Sequence, residues 1–136
     1  MSDWYVLTED GKTPVPVPDI TTDPEGYTAA MHNSRERYDW IVSKDEVGAY
    51  SVSTVFLFLD HRMTSTDGDP ILWESMVFGE GPWADYQDRY TSRDEAERGH
   101  KAIIAKIEAS AETDAKIREM ERQARELRDT MLGYDN

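Results

Sequence analysis

Cysteine is absent from the 136 residues, which at once removes disulfide frameworks, thiolate metal sites and cysteine nucleophiles. Long apolar runs are absent too. The longest, Val55 to Leu59, falls far short of the roughly 20 residues that span a bilayer. The opening Met1-Ser2-Asp3-Trp4 has no basic stretch leading into an apolar one, so the expected compartment is the cytoplasm. There is no G-x-S-x-G nucleophile elbow and no phosphate-cradling glycine loop. Gly79-Glu80-Gly81 is acidic and runs into Pro82, which has no amide to donate, so it is expected to be a turn. Asp67-Gly68-Asp69 lacks the twelve-residue spacing and closing glutamate of a calcium loop and reads as a surface turn. Cations are scarce early in the chain. Residues 1 to 92 hold six Lys and Arg against seventeen Asp and Glu, net −11, whereas residues 93 to 136 hold nine against eleven. Such a field disfavours direct binding to nucleic acid or anionic membrane and favours cationic partners, including proteins that themselves bind DNA.

What is present fits one globular unit with a very polar surface. Trp4 to Leu7 is β-prone, and Asp10-Gly11 supplies the turn of a small hairpin. Its return limb, Thr13 to Pro18, alternates proline with valine and fits only an edge strand or extended segment. Asp23-Pro24 has the form of a helix start for Tyr27 to Tyr38. Trp40-Ile41-Val42 and Tyr50 to Asp60 read as strands joined by a polar turn from Ser43 to Gly48, and Ile71 to Phe78 as the next strand, with a short edge strand within Trp83 to Tyr90. Ser92-Arg93-Asp94-Glu95 fits a capping box. The helix it opens carries Ala96, His100, Ile103, Ile104 and Ile107 as one apolar stripe. Beyond it, Ile117, Met120, Ala124, Leu127 and Met131 alternate spacings of three and four, an a/d heptad seam suited to self-association as a homodimer. Ser110 to Asp114 is compatible with either a continuous helix or a turn. The expected class is α+β: an antiparallel sheet of three to five strands packed on a helix (residues 1 to 109), with a C-terminal helical extension (residues 110 to 136).

Four polar side chains are embedded in the apolar segments: Asp60, His61, Glu74 and His100. Carboxylates and imidazoles are the groups a divalent metal or a general acid-base pair requires, so these four define the enzyme alternative. Two features weigh against it. Asp60 and His61 are neighbours and point to opposite faces of a strand, and His100 lies on the apolar stripe of its helix, where a hydrogen-bonded core histidine is the commoner outcome. No cofactor is expected. For partner binding the candidates are Trp83, expected to be exposed in its glycine- and proline-rich turn, and the acidic Asp67, Asp69 and Glu80.

Three stretches, STVFLFLDH from Ser53, LWESMVFG from Leu72 and RYTSRDEAERGH from Arg89, resemble a family of small uncharacterised proteins encoded by bacteriophages and prophages. Its members typically read STVFLGLDH, LFETMVFG and RYSTWEEAEAGH. The resemblance covers Tyr50 to about Ile107. Phe58 stands where that family has glycine and Trp73 where it has phenylalanine, so the strand is expected to bend less here. The resemblance implies a phage origin and no particular activity. It makes a non-enzymatic accessory protein the leading expectation: one that binds a host macromolecule in the host cytoplasm, as an inhibitor of host or anti-phage functions, with acidic DNA mimicry as one route. A virion structural or assembly component is a third reading.

Overall fold

The computed structural model describes residues 4–37, 39–62 and 68–133. Strands β1 (Tyr5–Leu7) and β2 (Pro14–Pro16) form the N-terminal hairpin around Gly11, whose φ of 73° is left-handed. Helix α1 (Pro24–Arg37) follows, its first turn capped by Asp23, which accepts from the Gly26 amide at 3.0 Å. Strands β3 (Ile41–Val47), β4 (Tyr50–Phe56), β5 (Trp73–Gly79) and β6 (Gln87–Tyr90) form one antiparallel sheet in chain order. The chain ends in helix α2 (Arg93–Leu132), 40 residues without interruption. The fold is therefore α+β with a C-terminal helical extension. Ser110 to Asp114 holds no turn.

Alternation along the strands decides what faces what. Val52, Thr54 and Phe56 of β4 and Trp73, Ser75 and Val77 of β5 are buried beneath Ala96, His100, Ile103 and Ile107 of α2. Each large apolar side chain so buried contributes roughly 1.5–3 kcal/mol. The other sheet face carries Ser53, Glu74, Met76 and a half-exposed Phe78, and no described helix packs on it. Helix α2 starts where the sequence predicts. The Ser92 hydroxyl accepts from the Glu95 amide at 3.2 Å, although the Glu95 carboxylate turns to the Thr91 hydroxyl instead of back to Ser92. Gly99 sits inside this helix because the Tyr90 ring lies on it: a Cβ there would stand 2.2 Å from the Tyr90 hydroxyl. Arg93 joins the parts, its Nη1 donating to the carbonyls of Gly11 at 2.6 Å and Asp39 at 3.1 Å.

Three sequence expectations change. Ser43 to Val47 is strand rather than turn: the polar run is the exposed edge of the sheet, and the reversal is the two-residue Gly48-Ala49 loop between paired Val47 and Tyr50. Strand β4 ends at Phe56 instead of running to Asp60. Phe58 takes a left-handed φ of 65° in a tight turn closed by the Leu59 amide on the Leu57 carbonyl, so the chain bends sharply despite lacking the glycine. Burial of its ring offsets that backbone cost: it meets Phe56 edge-to-face with centroids 4.9 Å apart, and the Arg35 guanidinium lies 5.6 Å above it. Ile71 and Leu72 lie just outside β5, which starts at Trp73.

Candidate functional site

The four embedded polar residues do not converge. Glu74 lies on the outer sheet face, where its carboxylate pairs with Arg89 at 2.9 Å, while His100 is under the inner face. His61 sits beyond the end of β4, its Nδ1 2.6 Å from the Leu59 carbonyl and its amide bonded to the Ile71 carbonyl. Among the described residues no three His, Asp or Glu side chains are grouped as a metal would need.

Asp60 is a loop staple. Its carboxylate accepts from the Arg62 amide at 3.0 Å, the Arg62 guanidinium at 2.7 Å and the Ile71 amide at 3.0 Å, closing the long β4–β5 connection at its base. Desolvation pushes its pKa up, but the hydrogen bonds from Arg62 and Ile71 outweigh that push and hold it below the ordinary value. Such a carboxylate lends its full stability above the ordinary carboxylate range near pH 4 and loses it as pH falls through the lowered folded value. Asp60→Ala is expected to cost about 2 kcal/mol at neutral pH by urea denaturation. The gap between variant and parent should close on acidification, and a gap independent of pH would contradict the staple.

His100 organises the interior. Its Nδ1 is 2.7 Å from the Thr54 hydroxyl and its Nε2 2.7 Å from the Asp45 carboxylate. Thr54 also meets the Ser75 hydroxyl, to which the Tyr90 hydroxyl donates at 3.0 Å. Since a carboxylate only accepts, Nε2 carries the proton toward Asp45. In the neutral ring Nδ1 then accepts from Thr54, Thr54 from Ser75 and Ser75 from Tyr90, which satisfies every buried member. The hydrogen bond from His100 is the chief cause that holds the Asp45 carboxyl below its ordinary pKa. Desolvation raises that of the Tyr90 phenol, only partly countered by Ser75.

An Asp–His–hydroxyl sequence is the wiring of a nucleophile, yet Thr54 and Ser75 are each 0% exposed, so no substrate carbonyl reaches either oxygen. The chain instead ties β3, β4, β5, β6 and α2 into one register. The sequence reading correctly places His100 in the core but misses Asp45, Thr54, Ser75 and Tyr90. A findable signal existed: Thr54 and Ser75 occupy core-facing positions of two adjacent apolar strands, and paired buried hydroxyls require a partner.

An open groove of about 370 Å³ lies where α2 leaves the body. Its walls are Val47 and Tyr50 at the β3–β4 reversal, Pro82 and Trp83 from the turn after β5, and Ile107 and Ala111 of α2. Glu46, Glu108 and Asp114 stand at its rim, and no Lys, Arg or His among the described residues lines it. Trp83 is partly buried rather than exposed: its ring stacks edge-on against Tyr86 at 5.5 Å and packs on the cluster containing Ile103 and Ile107. Its amide donates to the Tyr50 hydroxyl at 3.3 Å, and Gly81 is needed beside them, since a Cβ there would meet that hydroxyl at 2.1 Å. Lys106 is held over the Tyr86 ring at 6.0 Å. Glu80 and Asp69 are exposed but do not line the groove, and Asp67 lies outside the described residues.

The five seam residues share one face of the exposed part of α2, and none of them lines the groove. No described helix is long and apolar enough to cross a membrane. No family model, curated protein or solved structure matches this chain.

Proposed function

We propose that this chain is a bacteriophage-encoded accessory protein that acts by binding a basic segment of a host protein in the groove, and that it is not a catalyst. The carrying observation is the lining: aromatic and aliphatic walls, three carboxylates at the rim and no cation among them. A Lys or Arg side chain matches both parts, its methylene stem against Ile107 and Ala111 and its charged end at Glu46, Glu108 or Asp114. Trp83 and Tyr50 stand in the same lining, and aromatic rings of this kind attract cations. The net charge of −13 would draw such a partner in and speed encounter. The resemblance of the three motifs to phage and prophage proteins supports the origin. Against the metal-enzyme alternative stands the separation of Glu74 from His100 by the thickness of the sheet.

Affinity capture from infected host cells, with the unmodified protein and with a Glu108→Lys/Asp114→Lys variant side by side, tests this reading. Both positions are exposed on α2, so the variant should keep its helical circular dichroism. The expected result is one specific host partner, bound at least about tenfold more weakly by the variant and more weakly still as salt rises. Equal capture by both proteins would remove the groove from the account. Stoichiometric bound metal with a measurable turnover would instead favour the enzyme.

A further inference from the structure

We propose that two copies of this chain pair through the exposed part of α2 as an antiparallel two-helix seam, a contact separate from the groove. From residue 111 to residue 133 every position is exposed, and beyond Asp114 none belongs to the groove lining. Helices draw most of their stability from packing, and this one leaves an apolar stripe in water. Ile117 is 47% exposed, Met120 67%, Leu127 61% and Met131 77%. At about 100° per residue, that stripe lies roughly 100° around the helix from Ala96, His100, Ile103 and Ile107, so it is not a continuation of the face that lies on the sheet. The far side is already engaged along the helix, with Arg122 donating to Glu119 at 3.0 Å and to Glu126 at 2.5 Å.

A second copy is the occupant because the stripe complements itself. Between residues 111 and 132 the helix carries five cations and six anions, so like tails meet without the repulsion the bodies would feel. Set antiparallel with Met120 against Met131 of the other copy, both central layers pair Ala124 with Leu127, small against large. On one flank, Glu121 of each chain then faces Arg128 of the other. A parallel pair would offer Lys116 to Glu121 instead, an equal number of contacts, but it would stack Ala124 on Ala124 and leave that layer underfilled. It would also set two bodies of net −11 side by side. The antiparallel pair separates them along about 45 Å of helix, several times the screening length of about 8 Å at physiological salt.

The chain has no cysteine, so single introduced thiols report on the seam alone. In sedimentation the full-length protein should show a concentration-dependent dimer, and Leu127→Glu should weaken it at least tenfold while leaving the body's near-ultraviolet spectrum unchanged. Under mild oxidation, Met120→Cys and Met131→Cys chains should cross-link when mixed and far more slowly when kept apart. Rapid cross-linking of each variant with itself would overturn the antiparallel orientation. A monomer at every soluble concentration would overturn the pairing. So would loss of a host partner on Leu127→Glu in a protein that is already monomeric, because the stripe would then belong to that partner.

Discussion

His100→Ala is expected to lower the free energy of unfolding by about 3–4 kcal/mol, read from urea denaturation followed by tryptophan fluorescence. Two losses combine. The imidazole is 3% exposed, so its removal leaves a cavity between α2 and the sheet. The Thr54 hydroxyl, 0% exposed, also loses the acceptor it donates to and stays stripped of water, a penalty of about 1–3 kcal/mol. A His100→Ala/Thr54→Val double variant separates the two, because it removes the orphaned hydroxyl together with its partner. The double variant should fall short of the sum of the single costs by about 1–2 kcal/mol. Strict additivity would mean that the bond between them contributes nothing. The same protein discriminates between functions: below its lowered melting temperature it should still capture the groove's partner, whereas an enzyme using His100 would lose its activity outright.

The hydroxyl chain and the groove divide the molecule's polar groups into two kinds. Thr54, Ser75 and Tyr90 are spent inside, satisfying one another, and their value is a single strand register. Glu46, Glu108 and Asp114 stand at the surface around an apolar floor, with none of their charge answered by a cation in the lining. Asp45 bridges the kinds: its side chain is 51% exposed while one oxygen is anchored by buried His100. Ligand recognition needs carboxylates of the second kind, and the sheet needs hydroxyls of the first. The two sets come from different elements: Thr54, Ser75 and Tyr90 from β4, β5 and β6, and Glu46, Glu108 and Asp114 from the edge strand β3 and from α2.

Local signals carried much of the architecture. The Asp10-Gly11 turn, the Asp23 and Ser92 caps and the apolar spacing of Ala96, His100, Ile103 and Ile107 each act within a few residues, so the sequence displays them directly. The polar run Ser43 to Glu46 misled because an edge strand with one open side tolerates charges that a turn also favours; only pairing with β4 distinguishes the two. Trp83 misled in the opposite sense. Its glycine- and proline-rich surroundings do make a turn, but that turn folds the ring down onto Tyr86 and α2, a tertiary contact with no local signature. The groove was illegible for the same reason, since its walls come from three segments far apart in sequence. The one clue in the composition was the excess of acid over base in the first 92 residues, which does not say where the carboxylates gather.

Trp73 offers the sharpest packing test, because its two halves pull in opposite directions. The indole is 0% exposed and meets Phe56 edge-on at 5.2 Å, beneath the first turns of α2. Its Nε1 hydrogen finds no acceptor among the described residues, so the ring stabilises through area and contact while its polar atom opposes burial. Trp73→Ala should therefore cost about 4–5 kcal/mol, a large part of the 5–15 kcal/mol typical of a folded domain, and the protein should be partly unfolded at 37 °C. Trp73→Phe loses ring volume but also sheds the unsatisfied N–H, which returns about 1–3 kcal/mol, and a net cost near 1 kcal/mol is expected. Urea midpoints for the two variants decide the matter. If phenylalanine proves as damaging as alanine, the indole N–H must be making a favourable bond and the account of this core is wrong. If it is nearly neutral, the core accepts phenylalanine at position 73, and the area of the ring rather than the indole N–H is what this packing requires.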